Sequence, residues 1–238
     1  MPEILSAKLP ELAHRLGSHP GRLVIWNEGS CAVKTSANSY LVTTAGANLA
    51  GLAPDDSVEF DLMKMSALLA SDSAGDEELA AARNSPGTTQ ASTDALLYSY
   101  LFGFDGVNMA AHIQPVEINQ ITCSPRARQF ADRRCLPAEI LALGSAMVLV
   151  PYADPGLPLG KEVKRRIVLW RDRYKTVPRV VLIHNHGMLV LGATIGELLE
   201  TIDSTLKAAH VFIGASMLGG PVFLTPSNVM QIEPLKRL

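Results

Sequence analysis

The segment from Arg22 to Thr44 packs three β-prone runs into little chain: RLVIW (22–26), CAVK (31–34) and YLVTT (40–44). A fourth, SVEFDL, follows at 57–62. Val, Ile, Tyr and Thr favour extended backbone because branched and aromatic side chains pack well on a pleated surface. The spacers between the first three runs, NEGS and TSANS, consist of turn residues and are too short for a crossover helix. Strands joined so tightly run antiparallel, because a parallel pair needs a connection of about a dozen residues.

The rest of the chain supplies helices to cover such a sheet. Residues 3–17 are amphipathic and are stopped by Gly17 and the SHPG turn. A helix is expected over 92–102, helical material over 115–133, and a helix over 159–174 with an apolar stripe at Val163, Ile167 and Trp170. Thr194 and Glu197 have capping-box spacing and open a long helix to about Ser216. Pro226 sits where a short helix over 224–232 would start. Further strands are expected at VNMAAHI (107–113) and AMVLVPY (146–152). RVVLIH (179–184) and GMLVLG (187–192) read as a strand pair or as one bent strand. The polar, Pro/Gly-bearing stretch 71–90 reads as an excursion and not as a domain boundary. The expectation is one α/β domain over 1–238 with a mainly antiparallel sheet.

Composition narrows function by exclusion. A net charge of −2 provides no basic field for nucleic acid. No apolar run reaches the ~20 residues that span a bilayer, and the N-terminus lacks a signal-peptide core. Cys31, Cys123 and Cys135 are scattered, which suits a reducing compartment. These features predict a soluble, cytoplasmic protein whose partner is a small-molecule substrate, with no nucleic acid and no membrane.

The chemistry-bearing residues are histidines. On a strand His184 and His186 would share one face, as would His112 and Gln114 of AAHIQP. If the two strand ends are neighbours, three imidazoles and an amide converge, and imidazole is a common zinc ligand. Gly187 would let backbone or substrate come close. The same spacing is met by strand-end histidines bonded to carbonyls. The string HNH is no nuclease signature, since those nucleases disperse its residues over a ββα unit and need a cationic surface. Ser92, Thr93 and Asp94 stand at a helix start, where they could hold an anion and move protons or simply cap the helix. Thr43-Thr44-Ala45-Gly46 is either a phosphate cradle or an ordinary turn. His14, His19 and His210 lack acidic partners nearby in sequence and read as structural or solvated.

In chain order these pieces resemble the class II aldolase/adducin family, the group of fuculose-, rhamnulose- and ribulose-phosphate aldolases and epimerases. The resemblance covers about residues 11–217. Its G-N-x-S-x-R turn appears as Gly29-Ser30-Cys31-Ala32-Val33-Lys34, and its I-T-P-S-G turn as Val42-Thr43-Thr44-Ala45-Gly46. L-x-P-x-D appears as Leu52 to Asp56, S-S-E as Ser92-Thr93-Asp94, H-x-H-P as His112-Ile113-Gln114-Pro115, and N-H-G as Asn185-His186-Gly187. The segment VPYADPG lies between the last two.

The resemblance implies a three-layer α/β/α sandwich around a mainly antiparallel sheet, and a homotetramer with sites between subunits. It implies a divalent metal, usually zinc, at His112, His186 and position 114. Asp94 would be the catalytic acid/base, and Ser30, Thr43, Ala45, Gly46, Ser92 and Thr93 would bind substrate. It implies a lyase of carbohydrate metabolism that breaks a carbon–carbon bond through a metal-stabilised enediolate, or an epimerase using the same step. This chain departs from the pattern at Gln114, a weaker zinc ligand than imidazole, at Asp94, one methylene shorter than Glu, and at Ser30, Ala32 and Ala45, where hydrogen-bond donors are lost or weakened. His184 could fill the vacancy left by Gln114, although two residues along a strand stand about 6.6 Å apart. The expected function is a metal-dependent aldolase-type lyase for a small hydroxy-carbonyl compound, the alternative a catalytically degenerate binding or assembly module.

Overall fold

The computed structural model describes residues 6–53, 55–72, 75–84 and 90–233. Its centre is a seven-stranded sheet. The strands are β1 (Gly29–Lys34), β2 (Ser39–Thr43), β3 (Ser57–Asp61), β4 (Met109–Ile113), β5 (Val148–Val150), β6 (Val180–Ile183) and β7 (Gly187–Gly192), in the spatial order β3-β2-β1-β4-β7-β6-β5. Every pairing is antiparallel except β5 with β6.

Helices cover both faces. On one side lie α1 (Lys8–Gly17), α5 (Val116–Thr122), α6 (Ala127–Asp132), α7 (Pro137–Leu143) and α9 (Ile195–Met217), whose apolar residues join Cys31, Val33, Met109, Ala111 and Ile113 of the sheet. On the other lie α2 (Leu62–Ala70), α4 (Ala95–Leu101) and α8 (Leu157–Tyr174), which pack on Ala32, Ala110, Leu189 and Leu191. Coverage on both faces explains why the central strands read as nearly continuous apolar runs. The short α3 (Asp76–Ala81) and α10 (Pro226–Ile232) are peripheral. The expected three-layer α/β/α sandwich is the observed architecture.

Several local expectations are met in detail. Thr194 caps the long helix as expected, accepting a hydrogen bond from Glu197 N, while Glu197 reaches back to Ala193 N and not to the Thr194 N of a full capping box. Among the described residues no helix is long and apolar enough to cross a membrane. All three cysteines are free.

Others are corrected. RLVIW is no strand: Arg22 and Trp26 have φ of 48° and 52°, left-handed values that no ladder tolerates. The segment instead lends one carbonyl, that of Leu23, to Gln114 N. The excursion at 71–90 contains a helix, α3, while residues 73–74 and 85–89 lie outside the described residues, as do residues 3–5 of the expected first helix. RVVLIH and GMLVLG are a hairpin with register Ile183 to Gly187, which makes His184, Asn185 and His186 its turn. Asn185 takes φ 58° and Gly187 φ 100° there. The turn cancels the alternation argument, because side chains share a face only along extended backbone.

Candidate functional site

The site grows from one register. β1 pairs with β4 so that Ser30 stands opposite His112, and both share the sheet face that carries Ala32, Ala110 and α4. β4 then pairs with β7, whose first residue Gly187 follows the turn that carries His186. A Cβ on Gly187 would lie 2.5 Å from Ile113 O, so only glycine lets the hairpin come this close to the end of β4.

Asp94 is the N-cap residue of α4, yet its carboxylate makes no cap bond. It turns inward instead. Oδ2 accepts from Ser30 Oγ at 2.6 Å, from His112 Nδ1 at 2.9 Å and from Ser92 Oγ at 3.3 Å. Among the described residues no donor reaches Oδ1. His112 is also committed on its far side, where Nε2 donates to the His186 carbonyl at 3.1 Å. The His186 ring stacks on His112 with centroids 5.0 Å apart. That ring is half-buried and makes no hydrogen bond to the described residues. Asp94 and His112 are buried.

Charge follows geometry. Burial alone would raise the Asp94 pKa, but His112 and the Ser30 hydroxyl overcome it and hold the carboxyl at about 2. Burial alone would lower the His112 pKa, and the adjacent carboxylate more than reverses that. For His186 burial prevails, reinforced by the neighbouring His112 charge against Asp94 and Glu28, and its pKa falls below the ordinary imidazole value. Both His112 nitrogens face oxygen acceptors, which is the arrangement of an imidazolium paired with the Asp94 carboxylate, and the His186 ring stacked on it is biased toward its neutral form.

The pair predicts an acid limb of stability. Asp94 is lowered in the folded state, so its contribution is present above the unfolded value near 3.8 and is lost as pH falls toward 2. The loss amounts to about 2 kcal/mol. Urea denaturation between pH 5 and 2 is expected to show it, and a flat profile would refute the pairing.

The structure brings Ser30, Ser92, Asp94, His112 and His186 together. Thr43 and the Ala45-Gly46 turn adjoin them, since Ser92 N bonds Thr43 O and Ala45 N bonds Gln90 O. Thr43 is buried and its hydroxyl accepts from Cys31 N, whereas Ala45, Gly46 and Thr93 are exposed. His184 goes elsewhere: its Nδ1 sits 2.8 Å from Thr122 O at the end of α5, on the opposite side of the sheet. Gln114 lies against Gly187 and makes no side-chain hydrogen bond to the described residues.

The expected metal set is not assembled. Both His112 nitrogens are engaged, position 114 is an amide, and His184 faces away from His112. Among the described residues no group of three His, Cys, Asp or Glu side chains could hold an ion. As placed, these residues do not fit a three-imidazole metal centre.

Sequence reasoning missed Tyr98 and Glu28. Tyr98 is buried and its hydroxyl lies 2.7 Å from Ser30 Oγ. Its spacing of four from Asp94, one helical turn, was the available signal. Glu28 is exposed and close enough to act on His186, and no sequence pattern announces it.

Solved structures share this fold. An L-fuculose 1-phosphate aldolase superimposes with a TM-score of 0.74 at 15% identity, covering 99% of this chain and 97% of that one. YgbL from Escherichia coli gives 0.71 at 14% identity, with 98% and 99% covered. A class II aldolase domain from Thermoplasma acidophilum gives 0.67 at 21% identity, with 86% and 92% covered. No curated protein sequence matches. The profile of the Class II Aldolase and Adducin N-terminal domain matches residues 7–213. With nearly its whole length matched and each layer of the sandwich in place, this chain belongs to the class II aldolase/adducin family.

Proposed function

We propose that the chain is an acid–base lyase or epimerase of this family, acting on a small hydroxy-carbonyl compound. The observation that carries the proposal is His186: a half-buried ring without a hydrogen-bond partner among the described residues, stacked on a fixed Asp94–His112 pair. Burial biases this imidazole toward its neutral form, with a free ring nitrogen able to accept a proton. Asp94 Oδ1 accepts a hydrogen bond from the substrate hydroxyl next to the carbonyl, which leaves the β-hydroxyl for His186. His186 takes the β-hydroxyl's proton as the adjacent carbon–carbon bond breaks and its electron pair passes to the carbonyl side. The same proton returns from His186 to the new carbanion carbon, so the step balances. Re-addition of the carbonyl fragment from its other face would give the epimer.

The substrate is proposed to lack a phosphate. The Ser30 hydroxyl is spent on Asp94, the Thr43 side chain is buried, and Ala45 has no hydroxyl. A cavity of about 690 Å³ adjoining Ser92 and Thr93, with Arg83 and Leu157 on its wall, has room for the unreactive end.

The test is proton exchange into dihydroxyacetone in D₂O, followed by ¹H NMR with and without EDTA. Exchange above the protein-free rate is expected, with loss in His186→Ala. Dihydroxyacetone phosphate is expected to be no better a probe. No exchange into either probe would count against the lyase and favour a binding module. Loss of exchange on chelation would show that the reaction needs a metal and would overturn the metal-free form of the proposal.

A further inference from the structure

Tyr98 completes a buried chain that ends on the carboxylate. Its hydroxyl lies 2.7 Å from Ser30 Oγ and 3.1 Å from Ser30 O. Ser30 Oγ in turn lies 2.6 Å from Asp94 Oδ2. Each hydroxyl has one proton to give. The ionised carboxylate is the stronger acceptor, so the Ser30 proton goes to Asp94. The Tyr98 proton is then left for Ser30, shared between its Oγ and its carbonyl. Tyr98 therefore donates to Ser30 and Ser30 to Asp94, in one direction, and the first bond polarises the second.

This order decides which carboxylate oxygen is presented. Oδ2 collects the donors from Ser30, Ser92 and His112, and Oδ1 collects none among the described residues. A carboxylate held at one oxygen from β1, β4 and its own turn cannot rotate freely about its terminal bond. Tyr98 is itself wedged, stacked on Phe102 and fully buried. Ser30 sits at the position that the family resemblance gives to substrate phosphate, but its hydroxyl points into the protein.

We propose that Tyr98 is a positioning residue which, through Ser30, anchors Asp94 Oδ2 and so presents Oδ1 to the substrate. The role rests on the acid–base reading of Asp94 above, and it removes Ser30 from the substrate-contacting set.

The test uses Tyr98→Phe, Ser30→Ala, the double variant and Ser30→Thr in the full-length chain. Tyr98→Phe keeps the ring and its stacking. In the dihydroxyacetone exchange assay kcat is expected to fall about fivefold to tenfold with KM unchanged, the scale of one net hydrogen bond. Ser30→Ala should fall further, the double variant no further than Ser30→Ala, and Ser30→Thr should recover activity. Such non-additivity is the signature of residues acting in series. Unchanged kcat in Tyr98→Phe, or losses that multiply fully, would overturn the proposal.

A second readout needs no turnover. The His112 Nδ1–H hydrogen-bonded to a buried carboxylate should give a low-field ¹H NMR signal, assigned by its loss in Asp94→Asn. Tyr98→Phe is expected to shift it, and an unmoved signal overturns the positioning role. If wild type shows no exchange while Tyr98→Phe shifts the signal, the lyase reading fails and the positioning of Asp94 stands.

Discussion

Asp94→Asn is expected to cost more than any other single change at the site: proton exchange lower by about two to four orders of magnitude, and stability lower by about 3–5 kcal/mol. Asn keeps the shape and can still accept from Ser30. It cannot balance the charge on His112, which is buried between the Asp94 carboxylate and the His186 carbonyl. If His112 answers by losing its Nε2 proton, a lone pair faces the carbonyl oxygen of the turn that holds His186. Damage would then reach the reactive imidazole from behind. The part of the acid limb that Asp94 contributes should also be missing in this variant, leaving the smaller limb of the surface-paired Glu162 and Glu117. Urea denaturation at several pH values together with the exchange assay would check both. Full stability with undiminished exchange would refute the pair as the organising element of the site.

Gly187→Ala carries the second large expectation, this time on the fold. The added Cβ would meet Ile113 O at 2.5 Å and Gln114 Cα at 3.2 Å, both backbone atoms that cannot yield without parting β4 from β7. The residue also holds φ of 100°, which L side chains rarely adopt. Backbone strain and overpacking cost about 1–3 kcal/mol each, and here they act together. Gly46→Ala separates them: Gly46 has φ 71° but nothing within 4 Å of its Cβ position, so only the backbone penalty applies. A stability loss in Gly187→Ala no larger than in Gly46→Ala would mean that the hairpin relaxes away from β4.

Much of this architecture is local and hence legible in the sequence. β2 and β3, the capped start of α9, Pro226 at the start of α10 and the amphipathic α1 follow from propensity, turn chemistry and periodicity. RLVIW has the right residue types and fails as a strand because φ at Arg22 and Trp26 is set by where the chain must go, to bring Leu23 O onto Gln114 N. The histidines of the β6–β7 turn fail the alternation argument for a similar reason. Two apolar runs separated by the triplet His184-Asn185-His186 form a hairpin as readily as a single strand, and only pairing with β4 decides between them.

The sequence by itself determined that the chain forms a mainly antiparallel α/β sandwich, and it put Ser30, Asp94, His112 and His186 within a longer set of candidate positions. Hydrophobic periodicity, turn residues and ordered motifs are properties of neighbours along the chain, so they survive without a structure. The tertiary structure alone decided what those residues do to one another. Register across β1 and β4 sets Ser30 against His112, α4 turns Asp94 inward instead of capping, and the turn sends His184 to Thr122 while His186 stacks on His112. His19 with Asp203 and His210 with Glu117 follow the same rule, since each pairs a histidine with an acid far away in sequence. Hydrogen bonds and charge pairs act over a few ångströms of space, and distance along the chain does not report that separation.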